Sequence, residues 1–349
     1  MSLDAVPKIL IIRRDNIGDL VCTTPLIHAL RRRFPDGWLG ALVNSYNAPV
    51  LDGNPDLDEL FVYTKAKHRA CGQSLPGILW HRLRMLRRLR AMQLDDVIIA
   101  TTSPQPRIVK LAQWLKPNRI IGFGTVKGLD VALPLDTAGR HEVEDVFRVA
   151  SLYGIDGPPP ACRVLAPATV PPAPILTIGV HISARKPSQH WPAERFAETI
   201  KALATQGPLR FMLLWSPGAA DNPLHPGDDA KAQDLLQRVG AGSLCVPGIP
   251  LRGQVAVMAR PTQTLAELIA ALSECDALIC ADGGAMHLAA GLGLPIVCLF
   301  GNSGAARWRP WGVPYRLLQK PSLDVADIGV DEVVSAFAGL RADIPAREP

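Results

Sequence analysis

The chain lacks any long uncharged apolar run. Its longest, Leu288 to Gly301, is interrupted by Pro295 and several glycines and is too short to cross a bilayer, so no transmembrane helix is predicted. Nor is a secretory leader predicted: Ile9-Leu10-Ile11-Ile12 is only a strand long and runs straight into Arg13-Arg14-Asp15. A cytoplasmic location is the expectation. Cys22, Cys71, Cys162, Cys245, Cys275, Cys280 and Cys298 show no C-x-x-C spacing, and several lie inside apolar runs. That pattern argues against a disulfide framework or a zinc site and suits reduced core thiols. No G-x-S-x-G elbow is present, and Gly122-Phe123-Gly124 lacks the third glycine of a dinucleotide fingerprint. No RNP, zinc-finger or helix-turn-helix pattern accompanies the arginines, which speaks against nucleic acid as a partner.

What is present is enough for two ordinary domains: 349 residues, 48% hydrophobic. Strand-like runs near residues 8–12, 38–43, 60–63, 96–101 and 119–121 alternate with helix-like stretches near 25–34, 78–92, 105–115 and 141–153. This is the β/α alternation of a parallel sheet, a first Rossmann-like domain. Seven prolines fall between Gly157 and Pro174, a stiff segment read as the interdomain linker. Strands near 175–181, 210–215, 243–246, 277–281 and 295–300 then alternate with helices near 192–205, 229–239, 264–273 and 284–292, repeating the architecture. A last helix is expected over Val330 to Leu340. The domains are assigned to residues 1–160 and 175–349, with the linker at 161–174.

Charge is uneven. Residues 1–165 hold 22 Lys+Arg against 16 Asp+Glu, while 166–349 hold 15 against 16. Much of the excess lies in Arg31-Arg32-Arg33 and in the run from Trp80 to Arg90, where Leu83, Leu86 and Leu89 recur at roughly helical spacing. One reading is a solvated helix face with aliphatic stems over the core; the other is a site for an anionic partner or a membrane surface.

Two acidic glycine motifs carry the chemistry. Ile17-Gly18-Asp19 and Asp282-Gly283-Gly284-Ala285-Met286-His287 each follow a strand-like run and lead into a helix-like one, where ligands bind in open α/β sheets. Two such halves imply a cleft between them. The second motif reads as a phosphate cradle without Walker spacing: glycines let a diphosphate approach, and unpaired N–H groups and the helix dipole favour an anion. Asp282 is placed to accept from a ribose, and His287 to reach a phosphate or the transferred group; a cap and a satisfied core histidine are the plainer alternatives. Asp19 is either a base or an ordinary cap. Pro25 leaves two geometries open, a helix starting at Thr24 or one starting near Gly18 and kinked. Asp56-Leu57-Asp58 matches a metal-binding D-x-D formally, but follows the turn signal Asn54-Pro55. Trp308, Trp311, Arg307 and Arg309 either line the nucleotide pocket or pack against the hinge.

The run Ile9 to Leu26, then His190-Trp191-Pro192-Ala193-Glu194-Arg195-Phe196, then Asp282 to His287, then Leu299-Phe300-Gly301 resemble, in order, the heptosyltransferases of glycosyltransferase family 9. The resemblance covers residues 8 to 340. It implies an α/β GT-B fold of two Rossmann-like domains facing each other across a cleft, with the acceptor on the first and the nucleotide sugar on the second. It also implies inverting transfer of a heptose, from ADP-heptose to a lipopolysaccharide core-type acceptor, with no cofactor or obligatory metal. By position Asp19 matches the general base. Donor contacts fall on Ser183, Arg185, Lys186 and Gln189 and on Asp282, Gly283, Gly284, Ala285 and His287. Acceptor contacts fall on Arg14, Asn16, Gly18, Arg84, Arg87 and Arg88. The partners implied are a nucleotide-sugar donor and an anionic glycolipid, with peripheral contact at the inner membrane. One position departs: family members usually carry lysine just before the His-Trp-Pro element, where this chain has Gln189. A neutral amide cannot supply that charge, which Arg185 or Lys186 is expected to replace. A nucleotide-sugar epimerase of the same fold and a non-catalytic nucleotide-sugar or glycolipid binding protein are the rival readings.

Overall fold

The computed structural model describes residues 6–63, 75–167, 175–222, 227–240 and 255–344. It divides into two compact units, the break falling between Leu165 and Ala166. The proline-rich segment 168–174, the expected strand at 243–246, Cys71 and Cys245 lie outside the described residues; the other five cysteines are free and buried.

In the first unit, β1 (Lys8–Ile12) leads into two short helices, α1 (Ile17–Val21) and α2 (Thr24–Arg33). There follow β2 (Trp38–Asn44), β3 (Glu59–Tyr63), α3 (Leu75–Ala91), β4 (Asp96–Ile99), α4 (Pro106–Leu115), β5 (Arg119–Phe123), β6 (Val131–Leu133) and α5 (Glu142–Phe147). The six strands are parallel, in the order β3-β2-β1-β4-β5-β6. Leu10, Ile12, Leu42, Phe61, Val97 and Ile99 point to one face, against Leu89 of α3 and Ile108, Val109, Ala112 and Leu115 of α4. Period-2 alternation in the strands and i, i+3, i+4 spacing in the helices produce this layer.

The second unit repeats the arrangement with β7 (Leu176–His181), α6 (Ala193–Ala204), β8 (Leu209–Trp215), α7 (Asp229–Val239), β9 (Ala256–Pro261), α8 (Leu265–Ser273), β10 (Ala277–Ala281), α9 (Gly284–Gly291), β11 (Ile296–Phe300), α10 (Ala305–Trp308), β12 (Tyr315–Gln319) and α11 (Val330–Arg341). Its sheet is also parallel, ordered β12-β11-β10-β7-β8-β9. Counted from its own first strand, each sheet has the doubly wound order, with the topological switch between β1 and β4 in one and between β7 and β10 in the other.

Of the two geometries open at Pro25, the structure has the helix that starts at Thr24, preceded by a separate short helix over Ile17–Val21. The chain makes two helices, breaking at Cys22 and Thr23, with Pro25 in the first turn of α2, where a missing N–H costs no bond. Hydroxyls close the break: Thr23 Oγ1 donates to the Asp19 carbonyl (2.9 Å) and Thr24 Oγ1 to that of Val21 (2.7 Å). The helix expected over 141–153 likewise relaxes into a tighter 3-10 turn after Phe147. β6, β9 and β12 were not anticipated; β6 and β9 end one side of their sheets and β12 the other side of the second, and edge strands buried on few positions carry little alternation.

The His-Trp-Pro element anchors the loop after β7. Trp191 is fully buried, stands edge-on to Phe196 at 4.7 Å and donates through Nε1 to the Ile328 carbonyl (3.0 Å). Across the same edge of the sheet, a Cβ on Gly301 would lie 2.3 Å from the Ser188 carbonyl oxygen, so only glycine lets the loops after β7 and β11 meet. Gly301→Ala is expected to cost about 1–3 kcal/mol, read as a lowered midpoint in thermal unfolding. An unchanged midpoint would show that the two loops do not depend on this approach.

Candidate active site

The carboxyl edge of β1 carries an ion cluster built on Arg13. The backbone N–H of Arg13 extends the ladder to the Leu42 carbonyl (3.1 Å), which turns its side chain inward at the switch point. The guanidinium is buried. Nη2 donates to Asp19 Oδ1 and to Glu142 Oε1, both at 2.7 Å, and Nη1 donates to the Ala100 carbonyl just past β4. Asp15 Oδ2 lies 3.1 Å from Nε, off the line of its N–H, an ion pair without a hydrogen bond. Thr101 holds Asp15 (2.7 Å), and Thr102 holds both oxygens of Glu142 (3.0 Å each). One cation thus serves three carboxylates.

Asp19 is the third residue of α1, and its second oxygen accepts from the Asn16 backbone (3.0 Å) and side chain (2.9 Å). Burial pulls the Asp19 carboxyl upward, but the Arg13 charge and the Asn16 hydrogen bonds outweigh it, holding the group below the ordinary carboxylate range. Asp19 is therefore ionised at neutral pH. The loop itself is tied down from β2: Asn44 Nδ2 donates to the Arg14 and Asp15 carbonyls (2.9 and 3.1 Å), and Asn47 Nδ2 to those of Asp15 and Asn16.

The other residues assigned to an acceptor are spread more widely. Arg14 and Arg82 both lie over the Tyr63 ring, at 4.6 and 4.4 Å from its centroid; Asn16 is exposed beside Asp19 and Gly18 is buried within α1. Arg88 pairs with Glu59, and Arg84 and Arg87 stand on the outer face of α3. Asp56 accepts from His28 (3.0 Å), and Asp58 pairs with Arg31 and accepts from the Leu39 N–H (2.7 Å), so the formal D-x-D serves as local structure.

In the second unit the loops after β7 and β10 meet across the switch point. Gln189 is buried; its Nε2 donates to Asp282 Oδ2 (2.8 Å) and to Ser303 Oγ (3.2 Å), which Lys186 Nζ also reaches (3.2 Å). Asp282 is itself fixed by its N–H to the Leu299 carbonyl (2.9 Å). Gly283 caps α9 in an extended conformation, and a Cβ there would meet nothing within 4 Å; Gly284 is half-buried and Ala285 buried in the turn that follows. His287 is buried, edge-on to Trp308 at 6.1 Å; Arg307 and Arg309 lie over Trp308 and Trp311. Ser183 Oγ accepts from the Ser216 N–H (2.9 Å), bracing the loop, and Arg185 is exposed.

Several residues in these clusters escaped the sequence reading: Arg13 as a side chain, Glu142, Asn44, Asn47, Thr101, Thr102 and Lys231. Most sit at the carboxyl ends of the strands beside β1, so the strand order would have pointed to them. Lys231 of α7 donates to the Ile182 carbonyl (2.9 Å) at the end of β7. Burial, with Lys231 close by, lowers His181 to about 4, so that imidazole is neutral beside the loop.

Two parallel sheets of doubly wound order, each with polar loops at its switch point, are the architecture of the GT-B fold. Residues 82–324 match glycosyltransferase family 9 (heptosyltransferase), and the chain belongs to that family. It is 24% identical over 315 residues to lipopolysaccharide heptosyltransferase 3 of Escherichia coli, covering 84% of this chain and 83% of that one. Among solved structures, a glycosyltransferase family 9 protein of Veillonella parvula superposes with a TM-score of 0.75 (21% identity; 97% of this chain, 98% of that one). E. coli heptosyltransferase WaaC with ADP gives 0.74 (18% identity; 95% and 99%).

Replacing Arg13 by Met leaves buried carboxylates without their cation and is expected to destabilise the first unit by about 3–5 kcal/mol. The contribution of Asp19 is present above the unfolded aspartate value of about 3.9 and is lost as pH falls through its lower folded value. Wild-type stability should therefore hold to pH 4 and decline below it, whereas Arg13→Met, whose buried carboxylates lose their cation and are left with the upward pull of burial, should regain part of its lost stability as pH falls from 7 towards 4. Urea unfolding across that range checks both.

Proposed function

We propose that the protein transfers a heptosyl residue from ADP-heptose to a lipopolysaccharide core-type acceptor with inversion, working as a peripheral protein at the cytoplasmic face of the inner membrane. The first unit binds the acceptor and the second the nucleotide sugar. The observation that carries the reading is Asp19: an ionised carboxylate, held by Arg13 and Asn16, at the switch point of the first sheet. Asp19 takes the proton from the acceptor hydroxyl as that oxygen attacks the anomeric carbon, and the sugar–phosphate bond breaks to release ADP. The family membership, the lipopolysaccharide heptosyltransferase relative and the solved relative with ADP support this choice of donor and acceptor.

On the donor side, the N-terminus of α9 at Gly283, Gly284 and Ala285 receives the diphosphate, and Asp282 accepts from the ribose. Lys186 replaces the family lysine. Its ammonium and the Gln189 amide share Ser303 Oγ, so a positive charge stands one hydroxyl away from the position that Gln189 leaves neutral. Arg185, exposed on the same loop, is the lesser contributor.

Asp19→Asn is expected to reduce turnover by about 10²–10⁴-fold while leaving ADP binding by calorimetry within twofold. Turnover retained by this variant would remove Asp19 from the role of base, and product formed from donor alone would favour an epimerase. In a thermal-shift panel of ADP-heptose with UDP-, GDP- and dTDP-sugars, ADP-heptose should stabilise most. Lys186→Ala should weaken ADP about tenfold, the size of one charge-assisted contact. Equal shifts for all nucleotides, or no effect of Lys186→Ala, would overturn the donor assignment or the replacement respectively.

A further inference from the structure

The helices α3 and α4 cover one face of the first sheet, joined where Arg90 lies over Trp114 at 5.0 Å and donates to its carbonyl (3.1 Å). Their inner sides supply core. Their outer sides are unusual in two respects. Together they carry Arg82, Arg84, Arg87, Arg88, Arg90, Arg107 and Lys110 and no acidic residue. They also expose large apolar groups: Leu79 and Trp80 at 61% and 62%, Leu83 at 36% and Trp114 at 39%.

These two features interleave. Trp80, Leu83, Arg84 and Arg87 follow i, i+3, i+4, i+7 spacing and form one stripe, opposite the buried Leu89. Arg107, Lys110 and Trp114 form a second stripe on α4 by the same spacing. Arg84, Arg87, Arg107 and Lys110 are exposed and have no ion-pair partner among the described residues; Glu59, the acid that faces α3, is taken by Arg88.

The geometry points to the outer face of α3 and α4 as a docking surface for an anionic lipid bilayer, with Leu79, Trp80 and Leu83 entering the interface and the arginines meeting lipid phosphates. Apolar groups flanked by unpaired cations suit the headgroup boundary, where an amphipathic ring can sit half wet. A nucleic-acid backbone would satisfy the arginines but has no place for Leu79 and Leu83. A second copy of the chain is disfavoured too, because a two-fold contact would set this acid-free face against itself. No helix of the described residues is long and apolar enough to cross a membrane, so the surface rests on the bilayer without spanning it. The inference deepens the peripheral location proposed above, but needs no transfer to be tested.

The test is co-sedimentation of the full chain with vesicles of phosphatidylglycerol and phosphatidylcholine, beside vesicles of phosphatidylcholine alone, with no donor or acceptor present. Binding to the anionic vesicles alone, weakened by salt, is expected. Arg84→Ala/Arg87→Ala should weaken it about 25-fold, roughly fivefold for each cation. Trp80→Ala should weaken it about tenfold through lost apolar burial. All three side chains are exposed, so unchanged thermal midpoints will show that the variants fold. Equal binding to both vesicle types, or variants that bind like wild type, would overturn the proposal. So would duplex DNA binding without vesicle binding, or a dimer dispersed by Trp80→Ala that ignores vesicles. Failure of heptosyl transfer would leave the vesicle result standing, and Trp80→Ala, which lies outside the residues assigned to donor and acceptor, should lose vesicle binding while keeping transfer to a soluble acceptor.

Discussion

The first unit is organised around a single buried guanidinium. Arg13 follows four apolar residues of a central strand, so its side chain starts inside the protein and has to find anions there; a buried cation without partners would cost several kcal/mol. Asp15 and Asp19 come from the following loop and helix, Glu142 from the start of α5, and the Ala100 carbonyl from the far side of the switch. These contacts join segments far apart in sequence at one point. The break between α1 and α2 has a separate cause: Pro25 has no N–H to give the Val21 carbonyl, which the Thr24 hydroxyl takes instead.

At the equivalent place in the second sheet the connection is neutral. Gln189, after β7, bridges Asp282 in the loop after β10 and Ser303 in the loop after β11, where an ammonium in its place would pair directly with the Asp282 carboxylate. An amide satisfies Asp282 without competing for it as strongly. Lys186 donates to the same Ser303 hydroxyl from the partly exposed side of the loop. The close approach at Gly301 and the buried Trp191 fix the loop that carries both residues, so the substitution at Gln189 works within a rigid frame.

How much of this was legible in the sequence varies by element. Central strands such as Ile9–Ile12 and Ala277–Cys280 are apolar on every position because both faces are covered, and they were read correctly. β9 and β12 were missed because an edge strand with half-exposed positions, such as Tyr315–Gln319, has no such signature. Asp19 and Asp282 were visible because glycine motifs after strands mark ligand loops. Arg13 and Glu142 were not, since an arginine closing an apolar run and an acid opening a helix each have an ordinary local explanation; only the strand order brings them together. Gln189 was noticed through its departure from a family pattern, while its bond to Asp282 required coordinates. The arginines of α3 were seen as a charge run, but their separation into a paired inner set and an unpaired outer stripe depends on which side of the helix meets the sheet.

The hold on Asp19 also bears on how the proposed reaction proceeds. A carboxylate gripped by Arg13 and two Asn16 donors is always ionised near neutrality, yet it binds a proton weakly, so it offers little driving force to an early deprotonation. Such a base suits a displacement in which the bond to the departing diphosphate is well stretched before the acceptor loses its proton, with charge building on the sugar as an oxocarbenium-like centre. The acceptor oxygen becomes acidic only as it bonds to that centre, and a weak base is then sufficient. In the proposed reaction the same carboxylate, negative until it takes the proton, would also stabilise the positive sugar. The strong ion cluster on Arg13 is thus compatible with the role of base proposed for Asp19 if leaving-group departure carries most of the barrier, which would place the heavier catalytic demand on the diphosphate contacts proposed for the second unit.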